Sequence, residues 1–230
     1  MIILCGGFGT RLSSVSKNRP KVLVEVVSSP FLDHLINYIS SFGFKRFVLC
    51  AGHKSEQIEK YYAEKKDSLE YVISIEQDPL GTAGAIKNAE PLIQSDMFLG
   101  FNGDSFCPVD LKAFLEFHIA SQSIASIVVT SKKDPMGYGS IRLNKNNKIE
   151  NFSEKNPAEN TNLVSAGIYV FGKEVLQDIP PGQNSSLEHE IFPGLMAKGL
   201  SGFQIQKPLF DIGTPERLEF AKANLYKFIQ

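Results

Sequence analysis

The sequence predicts an α/β fold in which a mostly parallel sheet covered by helices gives way to a mixed second half. Three observations carry this. Short apolar runs alternate with longer segments of helical period through residue 120. Each apolar run ends in a polar or glycine-rich segment. From residue 124 onward the texture changes to hairpin-like pieces joined by turn residues. At 230 residues and 43% hydrophobic content the chain can bury one large core, and no linker or repeat divides it. The expectation is a single domain over 1–230, with halves 1–110 and 111–230.

Ile2 to Cys5 reads as a buried strand, and Pro30 to Phe42 as a helix whose Phe31, Leu35, Ile39 and Phe42 form one stripe before a stop at Gly43. A strand at Arg46 to Ala51, a helix at Ser55 to Ala63 and a strand at Tyr71 to Ile75 follow. A helix at Thr82 to Ala89, opening after Gly81, leads to a strand at Met97 to Phe101. The second half offers a helix at Leu111 to Ala120 and strands at Ile124 to Thr130, Tyr138 to Leu143, Lys148 to Phe152 and Leu163 to Phe171. A helix at Glu188 to Ala197, a short strand at Phe203 to Gln206 and a closing helix at Thr214 to Phe228 complete it. Ligands of open α/β sheets bind beyond the carboxyl ends of the strands, so segments 6–12, 76–84 and 102–105 are expected to meet in one crevice.

A net charge of -1 provides no basic field of the kind that tracks nucleic acid. Cys5, Cys50 and Cys107 are odd in number and widely spaced, which fits neither a disulfide framework nor a zinc site and points to a reducing cytoplasm. Met1-Ile2-Ile3-Leu4 carries no basic leader, and no apolar stretch is long enough to span a bilayer. His34, His118 and His189 share no metal-ligand spacing, and His53 reads as an exposed loop residue.

The chemistry begins in Leu4-Cys5-Gly6-Gly7-Phe8-Gly9-Thr10-Arg11-Leu12, directly after the first strand. Small residues there let backbone N–H groups approach phosphate oxygens, and Arg11 adds a forked, charge-assisted contact. Position 12 lacks the Gly of a dinucleotide fingerprint, and no Gly-Lys-Ser/Thr follows, so neither that motif nor a P-loop is present. In Pro20-Lys21-Val22-Leu23, the proline stiffens the chain and Lys21 can reach back toward the same phosphates.

Together with Arg19-Pro20-Lys21, this run resembles the signature of the sugar-1-phosphate nucleotidylyltransferases, commonly Gly-Gly-x-Gly-Thr-Arg-Leu with a downstream Pro-Lys. The resemblance implies their Rossmann-like three-layer αβα fold with a mixed central sheet. Leu80-Gly81-Thr82-Ala83-Gly84-Ala85 is similar to the family's base- and ribose-binding turn, with Gln77 upstream as a base-edge contact. Asn102-Gly103-Asp104 resembles the strand end that brings a carboxylate to a divalent ion. Phe152-Ser153-Glu154-Lys155 resembles the sugar-binding pair, and Phe210-Asp211-Ile212-Gly213-Thr214-Pro215 the motif carrying a second carboxylate. The resemblance also places Gly139, Glu154, Ser165 and Gly167 near the sugar. Ser165 stands where Asn is usual, and Ser13-Ser14-Val15 where Pro-Leu-Thr is common.

This assortment suits in-line attack of a sugar phosphate oxygen on the α-phosphorus of a nucleoside triphosphate. The nucleophile is already ionised, so alignment and charge neutralisation are needed rather than a general base. Mg²⁺ takes one or two carboxylates plus phosphates and water, a number that Asp104 and Asp211 supply. Arg11 and Lys21 would neutralise the triphosphate and leaving pyrophosphate, and Lys155 would hold the sugar phosphate. Leu4, Cys5, Gly6, Gly7, Gly9, Thr10, Gln77, Gly81, Thr82 and Asn102 make up the nucleotide set.

Residues 80–85 are closer to the guanylyl than the thymidylyl form, which tilts the base toward GTP. The compact length and first motif look most like the D-glycero-α-D-manno-heptose 1-phosphate guanylyltransferases. A mannose-1-phosphate guanylyltransferase is the nearest alternative, followed by a thymidylyl or uridylyl enzyme. A regulatory module that only binds nucleotide sugars would not need both carboxylates. A dehydrogenase-type binder would need an acidic residue at the second strand end, where Leu49-Cys50-Ala51-Gly52-His53 stands. A homo-oligomer is compatible with the sequence, which does not specify the number of copies.

Overall fold

The structure, a computed structural model, describes residues 1–7, 9–12, 18–153 and 161–229. The chain divides into two compact units. One comprises Met1–Pro79, Phe101–Phe106 and Phe210–Gln230, and the other Leu80–Gly100 and Cys107–Leu209.

The first unit opens with β1 (Ile2–Leu4), the two-residue strands β2 (Glu25–Val26) and β3 (Ser29–Pro30), and helix α1 (Phe31–Ser40). The apolar stripe of α1 buries Phe31, Leu32, Leu35, Ile36 and Ile39. Gly43 ends it as expected, with φ +90 and its N–H on the Ser40 carbonyl at 2.9 Å. Strand β4 (Arg46–Ala51), helix α2 (Ser55–Ala63) and strand β5 (Glu70–Ile75) follow. Phe47 through Ala51 are all buried, the pattern of a strand covered on both faces, and β4 pairs in parallel with β1 and β5. The buried Asp33 carboxylate of α1 accepts from Tyr61 (2.6 Å), Tyr62 (3.0 Å) and Lys65 (2.6 Å), which ties α1 to α2 and the turn after it.

Helix α3 (Gly81–Asn88) belongs to the second unit, and strand β6 (Met97–Asn102) ends in the first, where β7 (Ser105–Phe106) follows. The second unit continues with α4 (Leu111–Ser121), whose first turn is capped by Asp110 accepting from Lys112 and Ala113 N–H at 2.9 and 3.1 Å. Strands β8 (Ala125–Ser131), β9 (Ser140–Leu143), β10 (Ile149–Ser153) and β11 (Leu163–Gly172) come next. β11 pairs antiparallel with β8 and β9, β9 antiparallel with β10, and β8 parallel with β12 (Leu200–Ile205). The α/β fold with a mixed sheet agrees with the sequence reading.

Two expectations are corrected in this unit. Glu188 to Ala197 is not one helix: a π-helical turn at Leu187–Ile191 precedes α5 (Phe192–Gly199). Ser186 caps that turn by accepting from Glu188 and His189 N–H, and Pro193 stands in the first turn of α5. The strand expected at Phe203 to Gln206 runs from Leu200 to Ile205, because all six residues register against Ala125 to Thr130. The chain then returns to the first unit with β13 (Phe210–Asp211) and α6 (Pro215–Asn224), followed by a 3-10 turn at Leu225–Lys227 in place of the expected helix end. No helix among the described residues is long and apolar enough to cross a membrane.

Candidate active site

Within the first unit, the sequence-predicted phosphate and metal residues are held by short backbone devices. Cys5 N–H bonds the Cys50 carbonyl at 2.8 Å, so the glycine run leaves the sheet at the carboxyl end of β1. Gly9 takes φ +60, and Leu12 N–H returns to its carbonyl at 2.9 Å, closing a 3-10 turn that leaves Arg11 exposed and buries Leu12. Pro20 caps a second 3-10 turn in which Val22 and Leu23 are buried, and this anchors Lys21.

Lys21 Nζ lies 2.5 Å from Asp104 Oδ2. Gly103 makes the approach feasible: a Cβ there would meet the Leu4 carbonyl at 2.7 Å, whereas its N–H bonds that same oxygen at 2.9 Å. Burial pushes the Asp104 carboxyl up, but the Lys21 charge and hydrogen bonds from Lys21 and Ser105 outweigh it and hold the group below its ordinary value. β7 pairs antiparallel with β13, Asp211 opposite Ser105, and Ile212 N–H bonds the Asp104 carbonyl at 3.1 Å. Asp104 and Asp211 thus occupy neighbouring backbone positions although 107 residues part them in sequence (211 − 104). Asp211 is buried and accepts on Oδ1 from Gly213 N–H (3.0 Å) and Arg217 Nη1 (3.2 Å).

Two oxygen donors in this position fit a divalent ion that takes its remaining ligands from phosphates and water. Among the described residues no cluster of three or more His, Cys, Asp or Glu side chains is placed to hold a metal ion. The Oδ1 of Asn102, at the end of β6, is buried without a hydrogen-bond partner in the described structure. Such an acceptor is costly unless a donor is brought to it, which suits a strand end expected to contact nucleotide.

Glu76 was missed by sequence reasoning. It follows β5 by one residue, and a Cβ on Gly6 would lie 2.7 Å from its Oε1, so its carboxylate stands against the glycine run. Gln77, the residue expected to read the base, is exposed. The signal available was the end of β5 itself, where a shift of one residue exchanges the two faces of the strand. Cys5, Cys50 and Cys107 are buried free thiols. Burial, with a contribution from Glu76, pushes Cys5 and Cys50 well above the ordinary thiol range, so neither is a reactive nucleophile.

In the second unit, the Leu80 to Gly84 turn is bound to the segment before the π-helical turn. Leu80 carbonyl accepts from Ser185 N–H (2.8 Å), and Ser185 carbonyl from Ala83 and Gly84 N–H (2.9 and 3.2 Å). The Thr82 hydroxyl donates to Glu188 Oε2 and accepts from Leu187 N–H, both at 2.8 Å, a structural engagement the sequence did not suggest. Gly81 has φ +71, and a Cβ on it would meet the Ser185 carbonyl at 2.5 Å. Gly81→Ala is therefore expected to destabilise the protein by about 2–4 kcal/mol. Thermal unfolding would read this as a Tm lowered by roughly 5–15 °C, and an unchanged Tm would contradict the packing described.

The candidate sugar residues of this unit also come together. Ser165 N–H bonds the Gly139 carbonyl at 2.8 Å, and Gly167 N–H the Ser165 Oγ at 3.2 Å. Gly167 has φ +70 within the register shift between Ser165 and Tyr169. Ser140 Oγ bonds the Ser153 carbonyl at 3.3 Å, beside the residue that precedes Glu154. Phe8, Ser13 to Val15, Glu154 and Lys155 lie outside the described residues. A cavity of about 510 Å³ lined by Glu59, Tyr62, Lys65, Leu69 and Tyr71, among others, includes none of the expected site residues. It lies toward the beginning of β5, away from the strand end that carries Glu76.

The chain matches the Nucleotidyl transferase family over residues 1–227 and belongs to it. It is 31% identical over 99% of its length to a mannose-1-phosphate guanylyltransferase of Mycobacterium tuberculosis (strain ATCC 25618 / H37Rv), of which it covers 65%. It is 35% identical over 94% of its length to the catalytic subunit beta of the Drosophila melanogaster mannose-1-phosphate guanylyltransferase, of which it covers 59%. The chain thus spans about three fifths of the length of these curated relatives. Among solved structures, HddC from Yersinia pseudotuberculosis complexed with GMP-PN is 31% identical, with a TM-score of 0.84 over 97% of this chain and 98% of that one.

Proposed function

We propose that this protein transfers GMP from GTP to a sugar 1-phosphate, giving a GDP-sugar and pyrophosphate. The observation that carries the reading is the cluster of Lys21, Asp104 and Asp211 beside the glycine run of the first unit. It supplies cation and carboxylates without a nucleophile–base pair, as in-line displacement at phosphorus requires. A sugar phosphate oxygen bonds to the α-phosphorus, the bond from that phosphorus to the bridging α–β oxygen breaks, and pyrophosphate leaves. Arg11 and Lys21 neutralise the triphosphate as charge moves to the leaving group, and Lys155 holds the incoming phosphate. Mg²⁺, held by Asp104 and Asp211, would supply Lewis-acid charge neutralisation at the phosphates.

Glu76 supports guanine. The base's N1–H and N2 amino group are adjacent donors, and a carboxylate offers two acceptors to that edge, a match uracil and thymine cannot make. The GMP-PN complex of the Yersinia pseudotuberculosis relative supports the same base. Ser165, in place of the family's usual Asn, leaves room for a larger sugar and favours D-glycero-α-D-manno-heptose 1-phosphate. The names of the curated relatives favour mannose 1-phosphate as the second reading. Pyrophosphate release, scored for each nucleoside triphosphate against heptose, mannose and glucose 1-phosphates with Mg²⁺, is expected to be highest with GTP and heptose 1-phosphate. Release that does not require the sugar phosphate would instead indicate a hydrolase.

A further inference from the structure

Both carboxylates assigned to the divalent ion already hold a cationic side chain. Lys21 Nζ is 2.5 Å from Asp104 Oδ2, and Arg217 Nη1 is 3.2 Å from Asp211 Oδ1. Side-chain exposures are 15% and 35% for the first pair and 29% and 9% for the second, so each pair has one well-covered member, Lys21 and Asp211. Water screens the Asp104 pair in part and the Asp211 pair less. Arg217 is also placed against its local preference. Thr214 caps α6, accepting from Arg217 N–H at 3.3 Å, so Arg217 is the third helical residue, where a cap of this type favours Glu or Gln. A cation in the first turn opposes the helix dipole. What offsets this is the contact with Asp211.

We propose that Lys21 and Arg217 neutralise Asp104 and Asp211, so that the protein takes up its divalent ion only together with the triphosphate. Arg217 is the positioning residue that imposes this on Asp211. The inference rests on the guanylyl-transfer reading of this site and adds an order of binding to it. The four groups sum to zero charge, so a bare divalent ion meets an ammonium and a guanidinium beside its two carboxylates. The phosphates of an incoming nucleotide offer Lys21 a competing set of anionic oxygens and release Asp104 to the ion they carry. Arg217 remains on Oδ1 of Asp211 and limits rotation of that carboxylate.

The test is Mn²⁺ binding to the full chain, read from the free-ion EPR signal with and without a non-hydrolysable GTP analogue. Wild type is expected to bind Mn²⁺ at least tenfold more weakly without the analogue. Arg217→Met is expected to gain roughly tenfold in nucleotide-independent affinity, while Arg217→Lys stays near wild type. A merely structural role for Arg217 would not produce a gain. Wild-type binding that is equally tight with and without the analogue would overturn the proposal, as would an unchanged affinity in Arg217→Met. Should Arg217→Met fail to fold, Lys21→Met carries the test, because it removes the Asp104 partner and must show the same gain. Nucleotide-independent Mn²⁺ binding alongside GTP- and sugar-phosphate-dependent pyrophosphate release would refute this inference and leave the functional reading standing. The expected Mn²⁺ pattern without pyrophosphate release would do the reverse.

Discussion

Asp104→Asn is expected to lower kcat by about 10²–10³-fold while circular dichroism stays near wild type. The side chain keeps its shape and its 35% exposure lets water reach the amide, but the Lys21 ammonium, 15% exposed, loses its charged partner, so a modest loss of stability accompanies the loss of rate. The reaction loses a negative ligand where the triphosphate's counter-ion must sit. A partial return of rate at higher divalent-ion concentration would locate the defect in ion capture. Asp211→Asn should reduce turnover to a similar degree and cost more stability, because Asp211 is the more buried carboxylate, 9% exposed against 35%, and its Oδ1 also accepts from Gly213 N–H. Near-normal turnover in both variants would exclude the two-carboxylate mechanism.

Glu76→Gln is expected to reduce kcat/KM for GTP by about 10²-fold and to raise the use of UTP relative to GTP. The amide has one acceptor and one donor, so its NH₂ would face the donor N2 of guanine. Uracil, with an N3–H donor beside an O4 acceptor, suits that arrangement instead. The ratio of the two kcat/KM values is the proper readout, since any general damage near Gly6 divides out. An unchanged ratio would show that Glu76 does not read the base.

Much of the architecture was legible along the chain because the signals are local. The continuous apolar run of Phe47 to Ala51 marks a strand buried on both faces, and the stripe of Phe31, Leu35 and Ile39 marks one face of a helix. The glycine run and Pro20-Lys21 could be singled out as a candidate phosphate segment because backbone access and a fixed lysine are properties of neighbouring residues. The π-helical turn at Leu187–Ile191 was not legible. Its apolar spacing looks helical, and its wider pitch accompanies the Thr82–Glu188 contact across 106 residues, which periodicity does not report.

The sequence alone therefore determined the α/β class and most strand and helix positions, and it named the residues proposed for phosphate and metal chemistry. Tertiary structure decided which of those groups meet. The two-residue ladder of Ser105–Phe106 with Phe210–Asp211 is too short for any pattern to reveal, yet it brings Asp104 and Asp211 to neighbouring positions. The turn of one residue at the end of β5 presents Glu76 rather than Gln77 to Gly6, and the start of α6 delivers Arg217 to Asp211. Composition and period fix the conformation of a segment through interactions among near neighbours. The pairing of charges comes from long-range packing, where the positions of distant backbones, and not the residue types alone, set each distance.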